Sequence, residues 1–113
     1  MKFFLNKKDM ITINQMFDQG HLNNEASLDF ALDYARRTEN YTKALAYITR
    51  AILIDHVFEE GNKRTAACLI KSYIEYEGHK IYDDKLLIMI KEILAKNISS
   101  INKIEEVIKD VIG

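Results

Sequence analysis

The sequence predicts an all-α fold, a compact single domain of about six helices that spans residues 1–113. The chain contains no proline and only four glycines, so few residues interrupt a helical pattern. Apolar residues recur at spacings of three and four along most of its length. With 113 residues, 48% of them hydrophobic, the chain is long enough to bury one core.

The first three predicted helices are marked by N-cap candidates, by apolar stripes or by both. Asn6 is a candidate cap for a helix over about residues 7–17, which we expect Gly20 to end. A second helix follows Asn23 or Asn24, with Arg36 and Arg37 in its last turn, where cations suit the helix dipole. The third runs to about residue 55. The apolar stripes of the second and third helices are Leu28, Ala31, Leu32 and Ala35, and then Tyr41, Leu45, Ile48 and Ile52.

The second half of the chain predicts three more helices. Asn62 is the expected N-cap of the fourth, which Gly78 ends as a left-handed C′ residue. Residues 80–82 are expected to be briefly extended. Asp83 or Asp84 opens a fifth helix through about residue 96, and Ser99 or Ser100 opens the sixth. The buried faces of the fourth and sixth are expected to carry Ala66, Leu69, Ile70 and Tyr73, and Ile101, Ile104, Ile108 and Val111.

Charge and hydropathy limit the classes of partner. The chain has 16 basic and 17 acidic residues, divided seven and seven over residues 1–55 and nine and ten over residues 56–113. This balance argues against a nucleic-acid footprint, a DNA-binding helix-turn-helix included, and against binding to an acidic membrane. The longest apolar runs have five residues, far below the ~20 that span a bilayer. With no signal-peptide pattern and one cysteine, we expect a cytoplasmic protein.

One segment, residues 56–64 with the sequence HVFEEGNKR, combines the groups that phosphoryl or nucleotidyl transfer requires. A loop that enters a helix N-terminus presents unpaired N–H groups to a phosphate, and Gly61 permits a close approach. Lys63 and Arg64 place two cations in the first turn. Glu60 offers a carboxylate to Mg²⁺, and His56 is suited to accept a proton near neutral pH. Such catalysis depends mostly on positioning and charge neutralisation.

This segment resembles the signature of the Fic/Doc (Fido) family, His-x-Phe-x-(Asp/Glu)-Gly-Asn-(Gly/Lys)-Arg, at every defined position. The resemblance implies ATP and Mg²⁺ as cofactors and His56 as the base that deprotonates a target hydroxyl. It implies that Glu60 binds the metal and that Phe58 is a buried anchor of the loop. The phosphates of the nucleotide would be bound by Gly61, Asn62, Lys63 and Arg64.

Features around the motif resemble the Doc (death-on-curing) branch. Lys63 replaces the glycine of adenylylating members, Ala67 replaces their second arginine, and Thr65 and Ala66 follow the motif arginine. Gly61 is the exception, since Doc itself has alanine there. The Doc branch implies transfer of the terminal phosphate of ATP to a Ser, Thr or Tyr hydroxyl of a protein, such as a translation elongation factor. The alternatives are AMP transfer at the same site and a catalytically silent binding module of a toxin–antitoxin pair.

Two further expectations follow from the resemblance. Relatives dock their protein target through a flap upstream of the catalytic helix, and residues 18–27 are the irregular segment long enough to be one. Many relatives carry an inhibitory (Ser/Thr)-x-x-x-Glu-(Gly/Asn) helix. The nearest string here, residues 35–40, has Ala35 in place of the hydroxyl residue, and we interpret it as a helix end. Any restraint is therefore expected from a separate antitoxin.

The remaining polar and aromatic residues have simpler interpretations. His21 and His79 have no partner at ligand spacing and are assigned to turns or the surface, and Glu59 is assigned to solvent. Cys68 is interpreted as a small buried residue and not as a nucleophile. An adenine contact is conceivable for three tyrosines, but core packing or surface placement is the favoured interpretation for Tyr73, Tyr76 and Tyr82.

Overall fold

The computed structural model describes residues 4–113, and these residues form six α-helices. The helices are α1 (Lys7–Asn14), α2 (Glu25–Arg37), α3 (Tyr41–Leu53), α4 (Asn62–Tyr76), α5 (Asp83–Ala95) and α6 (Ile101–Lys109). Over the same residues, β-structure is limited to two isolated antiparallel bridges, Leu22 with Phe58 and Ile81 with Ile112. The Cα radius of gyration is 12.5 Å. The predicted all-α bundle is therefore confirmed.

Two helices form the centre of the bundle. Helix α3 packs against α2, α4 and α6, while α4 packs against α1, α3 and α5. Nine of the 13 residues of α3 are buried, because its sequence is apolar on nearly every face. The segment that joins these two helices is residues 54–61, which include most of the motif. A loop held at both ends by central helices has a well-defined position.

Most helix ends agree with the capping signals in the sequence. Asn6, Asn24 and Ser100 each accept a hydrogen bond from a backbone N–H in the first turn of their helix. In α2, the four residues predicted to face the core are the four that are buried. The bridge at Ile81 agrees with the predicted extended segment, and Gly78 has the expected positive φ of 89°.

Three boundaries differ from the prediction. Helix α1 ends at Asn14 instead of about residue 17, because the buried side chain of Asn14 is held by tertiary hydrogen bonds and the chain turns there. Gly20 therefore belongs to the following loop. The predicted irregular segment 18–27 ends at Asn24, since α2 begins at Glu25. Asn62 is the first residue of α4, and its N-cap is Gly61.

Along the part of the chain that the structure describes, none of the helices combines the length and apolarity that crossing a membrane requires.

Candidate functional site

The motif segment lies on an open cleft of about 520 Å³ at the N-terminus of α4. The cleft brings together six of the seven residues singled out in the sequence: His56, Glu60, Gly61, Asn62, Lys63 and Arg64. The seventh, Phe58, is fully buried in the core beneath the loop. The remaining walls are Glu59, which belongs to the motif segment, and four residues from outside it: Phe17, Asp18, Leu53 and Leu94.

The N-terminus of α4 has free backbone donors. Gly61 adopts a left-handed conformation with φ of 77°, and no side chain caps the helix. In residues 4–113, the first helical hydrogen bond of this end runs from the N–H of Thr65 to the carbonyl of Gly61, and no hydrogen bond uses the N–H of Asn62, Lys63 or Arg64. Three adjacent N–H groups at a helix start favour an anionic ligand.

Three charged side chains of the cleft, those of Glu60, Lys63 and Arg64, have no partners among the described residues. Lys63 and Arg64 are exposed, and within residues 4–113 neither forms an ion pair or a side-chain hydrogen bond. The exposed carboxylate of Glu60 likewise has no ion pair or side-chain hydrogen bond within residues 4–113, and it does not pair with the nearby Arg64. Cations in the first turn of a helix oppose its dipole by about 0.3–1 kcal/mol. An anion bound beside Lys63 and Arg64 would relieve that cost.

The predicted N-cap role of Asn62 is wrong. Its side chain turns back onto the loop, where Oδ1 accepts from the N–H of Phe58 at 3.1 Å and Nδ2 donates to the carbonyl of Phe58 at 2.9 Å. Gly61 takes the cap position because the left-handed turn there is open to glycine. The amide of Asn62 therefore fixes the loop, while its backbone N–H remains free.

A second segment, residues 21–24, holds the opposite side of the loop. The carbonyl of Val57 accepts from the N–H groups of Asn23 and Asn24 at 2.7 and 3.1 Å, and the N–H of Glu59 donates to the carbonyl of His21 at 3.0 Å. The side-chain amide of Asn23 donates to the carbonyl of His56 at 3.1 Å. These bonds hold His56 in a left-handed conformation with φ of 52°, uncommon for a residue with a Cβ, and its side chain stays exposed to the cleft.

Sequence reasoning missed Asn14, which supports the loop from below. Its fully buried side chain donates to the carbonyl of Glu60 at 2.9 Å and to Thr65 Oγ1 at 3.0 Å, and it accepts from the N–H of Gly20 at 2.8 Å. The available signal was its position four residues after the buried Met10, since an asparagine on an apolar helix face requires buried partners.

His21 and Glu59 lie at the surface, as predicted, and Cys68 differs from its predicted surroundings. His21 Nδ1 lies 3.6 Å from Glu59 Oε2, but both side chains are more than half exposed and such pairs contribute little. Cys68 is only half-buried, with its Sγ 4.0 Å from Ser72 Oγ. The tyrosines agree with the favoured interpretation: Tyr73 is buried, while Tyr76 and Tyr82 are 66% and 53% exposed.

The residues of the cleft fit a magnesium ion that arrives with phosphate. Within residues 4–113, no cluster of three or more His, Cys, Asp or Glu side chains could hold a metal by itself. Mg²⁺ bound with a nucleotide requires only one or two protein carboxylates, because phosphate oxygens and water supply the remaining ligands. The free carboxylate of Glu60, at the edge of the free N–H groups, is the donor that such an ion would use.

The fold and site together define an all-helical domain with a polar cleft built on a loop and a helix N-terminus. The chain matches no protein-family model, and comparison with curated proteins and with solved structures also gives no match.

Proposed function

We propose that this protein is a Fic/Doc-type, toxin-like transferase that moves the terminal phosphate of Mg-ATP to a Ser, Thr or Tyr hydroxyl of a protein target, such as a translation elongation factor. The observation that carries the proposal is the single cleft that holds an imidazole, a free carboxylate, free N–H groups and two unpaired cations. These groups come from a segment that matches the Fic/Doc signature at every defined position.

Each group has a role that follows from its chemistry. The N–H groups of Asn62, Lys63 and Arg64 and the two cationic side chains bind the phosphates and neutralise the charge that develops on them. Glu60 would hold Mg²⁺, which supplies further charge neutralisation on the phosphate oxygens when bound. The exposed imidazole of His56 lies on the same cleft, where an incoming hydroxyl can reach it.

In the proposed transfer, the hydroxyl oxygen of the target forms a bond to the terminal phosphorus of ATP, and the bond from that phosphorus to the bridging oxygen breaks. ADP leaves with the electron pair of that bond, and His56 accepts the hydroxyl proton. General-base catalysis of this kind contributes about 10²- to 10⁴-fold to the rate.

The experiment incubates the purified protein with a cell extract and ATP labelled at either the α or the γ phosphate. We expect label on a target protein from γ-labelled ATP only, and we expect His56→Ala to reduce the labelling rate at least about a hundredfold. The matched control is His79→Ala, because His79 is also exposed but does not line the cleft. Expression of the wild type, and not of His56→Ala, should arrest growth of a tester cell.

Each alternative predicts a different result. Label from the α phosphate would identify an AMP transferase and overturn phosphate transfer. No label from either position, together with binding to an antitoxin that His56→Ala leaves unchanged, would identify a silent binding module. Equal labelling by the wild type and His56→Ala would overturn the role of His56.

A further inference from the structure

The two peptide planes that meet at the Cα of His56 are each held by a side-chain amide. Asn24 Nδ2 donates to the carbonyl of Asp55 at 3.2 Å, and this carbonyl belongs to the plane that precedes His56. Asn23 Nδ2 donates to the carbonyl of His56 itself at 3.1 Å, and this carbonyl belongs to the plane that follows. Because φ and ψ are set by the relative orientation of the two planes, the two amides together fix the backbone conformation of His56.

Few other hydrogen bonds act on these two planes. Within residues 4–113, the N–H of His56 makes none, and the N–H of Val57 donates to the carbonyl of Ala51 at 3.3 Å, beyond the usual range for such a bond. His56 has a φ of 52°, which is uncommon for a residue with a Cβ. Without the two amides, this residue would therefore populate the common negative values of φ. Because rotation about φ swings the Cα–Cβ bond, the imidazole would then leave its present place on the cleft.

We propose that Asn23 is a positioning residue for His56, whose imidazole it holds on the cleft through the backbone. This inference rests on the proposed function, in which His56 accepts the proton of the target hydroxyl. A general base acts only within hydrogen-bonding reach of that proton, and a displacement of about 1 Å lowers a rate by up to about a hundredfold. The amide of Asn23 therefore acts on the rate of transfer and not on the binding of nucleotide.

The two asparagines differ in their other contacts. Oδ1 of Asn24 caps α2 by accepting from the N–H of Ser27 at 3.2 Å, so substitution of Asn24 would also weaken a helix. In the described chain, the side chain of Asn23 makes only its hydrogen bond to His56. Asn23 is exposed, so this bond adds little to the stability of the fold. Substitution of Asn23 therefore tests the position of His56 with little loss of stability.

The test compares Asn23→Ala with Asn40→Ala. Asn40 is also exposed, and its side chain caps α3 by accepting from the N–H of Thr42 at 3.0 Å, at the end of α3 that is remote from the motif loop. Asn40→Ala therefore removes an asparagine hydrogen bond without changing the surroundings of His56. Both variants are expected to fold.

Two measurements are made on each protein. The three-bond NMR coupling between the amide and α protons of His56 reports its φ in the absence of any ligand. Labelling of the target protein in a cell extract by γ-labelled ATP, over a range of ATP concentrations, separates the maximal rate from the KM for ATP. We expect Asn23→Ala to change the coupling, to lower the maximal rate about tenfold or more and to leave KM within about twofold, because the phosphate-binding groups are unaltered. Asn40→Ala should change none of the three.

A second variant covers the case in which Asn23→Ala disturbs the segment around it. Asn23→Asp retains the shape of the side chain, but a carboxylate cannot donate a hydrogen bond to the carbonyl of His56. We expect the coupling and the maximal rate to change in the same direction as in Asn23→Ala.

The outcomes separate this inference from the proposed function. Wild-type protein that transfers no label would overturn both. Labelling by the wild type, with either the coupling or the maximal rate unchanged in the two Asn23 variants, would overturn the positioning role alone. An equal loss of rate in Asn40→Ala would also overturn it, because a general loss of stability would then account for the effect.

Discussion

The side-chain amide of Asn14 donates a 2.9 Å hydrogen bond to the main-chain carbonyl of Glu60, across 46 residues of sequence. The same amide contacts Thr65 Oγ1, in the first turn of α4. A single buried side chain at the end of α1 thus holds both sides of the turn at Gly61. The position of the Glu60 carboxylate relative to the free N–H groups depends on this contact.

Asn14→Ala is therefore expected to destabilise the protein. It leaves the buried hydroxyl of Thr65 without its partner, and with it the partly buried carbonyl of Glu60 and N–H of Gly20. An unsatisfied group that is fully buried costs about 1–3 kcal/mol. Because the loop can relax toward solvent, we expect a decrease of about 3 kcal/mol in the free energy of unfolding, measured by urea denaturation. Asn102→Ala, an exposed site on α6, should stay within about 0.5 kcal/mol of the wild type. A similarly small change for Asn14→Ala would contradict the supporting role.

The sequence was sufficient to predict the six helices, because the residues that each helix buries recur at helical spacing along the chain. The stripe Leu28, Ala31, Leu32 and Ala35 recurs at helical spacing and is the buried face of α2. The six candidate residues of the cleft could also be selected from the sequence, since they lie within nine consecutive residues and one turn is enough to bring them to the same cleft.

The parts of the site that could not be predicted depend on tertiary packing. Phe17 reaches the cleft because α1 ends early, and Leu94 reaches it from α5. Neither carries a sequence signal that distinguishes it from an ordinary core residue. The prediction of the N-cap of α4 failed for a related reason. Asparagine is a good N-cap, but the side-chain amide of Asn62 makes two hydrogen bonds to the backbone of Phe58 instead.

Gly61→Ala tests the close packing at the turn. Its φ of 77° is unfavourable for alanine, and a Cβ there would lie 3.1 Å from Asn14 Nδ2 and 3.3 Å from Asp18 Cβ. Gly78 has a similar φ of 89° but no atom within 4 Å of the added Cβ, so Gly78→Ala is the matched control. We expect Gly78→Ala to cost about 1 kcal/mol and Gly61→Ala about 2 kcal/mol or more in thermal unfolding. Equal losses would show that the contacts with Asn14 and Asp18 are unimportant.

Alkaline pH is expected to weaken the core near Tyr41 and Tyr73. Burial raises the pKa of both phenols above 10.0, and the nearby carboxylate of Glu77 raises them further. A phenol with a raised pKa binds its proton more tightly in the folded chain, so its stabilisation is complete below about pH 10 and is lost as the pH rises through the raised value. Hydrogen bonds to carboxylates raise the pKa of Lys7 and Lys71, which adds a loss in the same direction.

A comparison of variants separates the loss of stability that the tyrosines cause at alkaline pH from the loss that the lysines cause. Thermal unfolding from pH 8 to about pH 11 should show a smaller loss of stability in the double variant Tyr41→Phe, Tyr73→Phe than in the wild type. Tyr76→Phe, at a residue that is 66% exposed, should follow the wild type. If the stability of the double variant falls in parallel with that of the wild type over this range, ionisation of these two phenols does not contribute.

Removal of magnesium should distinguish Glu60 from its neighbour Glu59. Both carboxylates are exposed and both line the cleft, but Glu59 lies near His21, whereas Glu60 has no partner within residues 4–113. Under the proposed function, Mg²⁺ strengthens ATP binding through the Glu60 carboxylate, so Glu60→Gln should remove most of that gain, about tenfold in Kd, while Glu59→Gln retains it. Calorimetric titrations of ATP with Mg²⁺ and with EDTA measure the gain for each variant. A gain that is unchanged in Glu60→Gln would mean that the metal is bound by other groups, because replacing a carboxylate by an amide of the same shape removes the charge and leaves the loop intact.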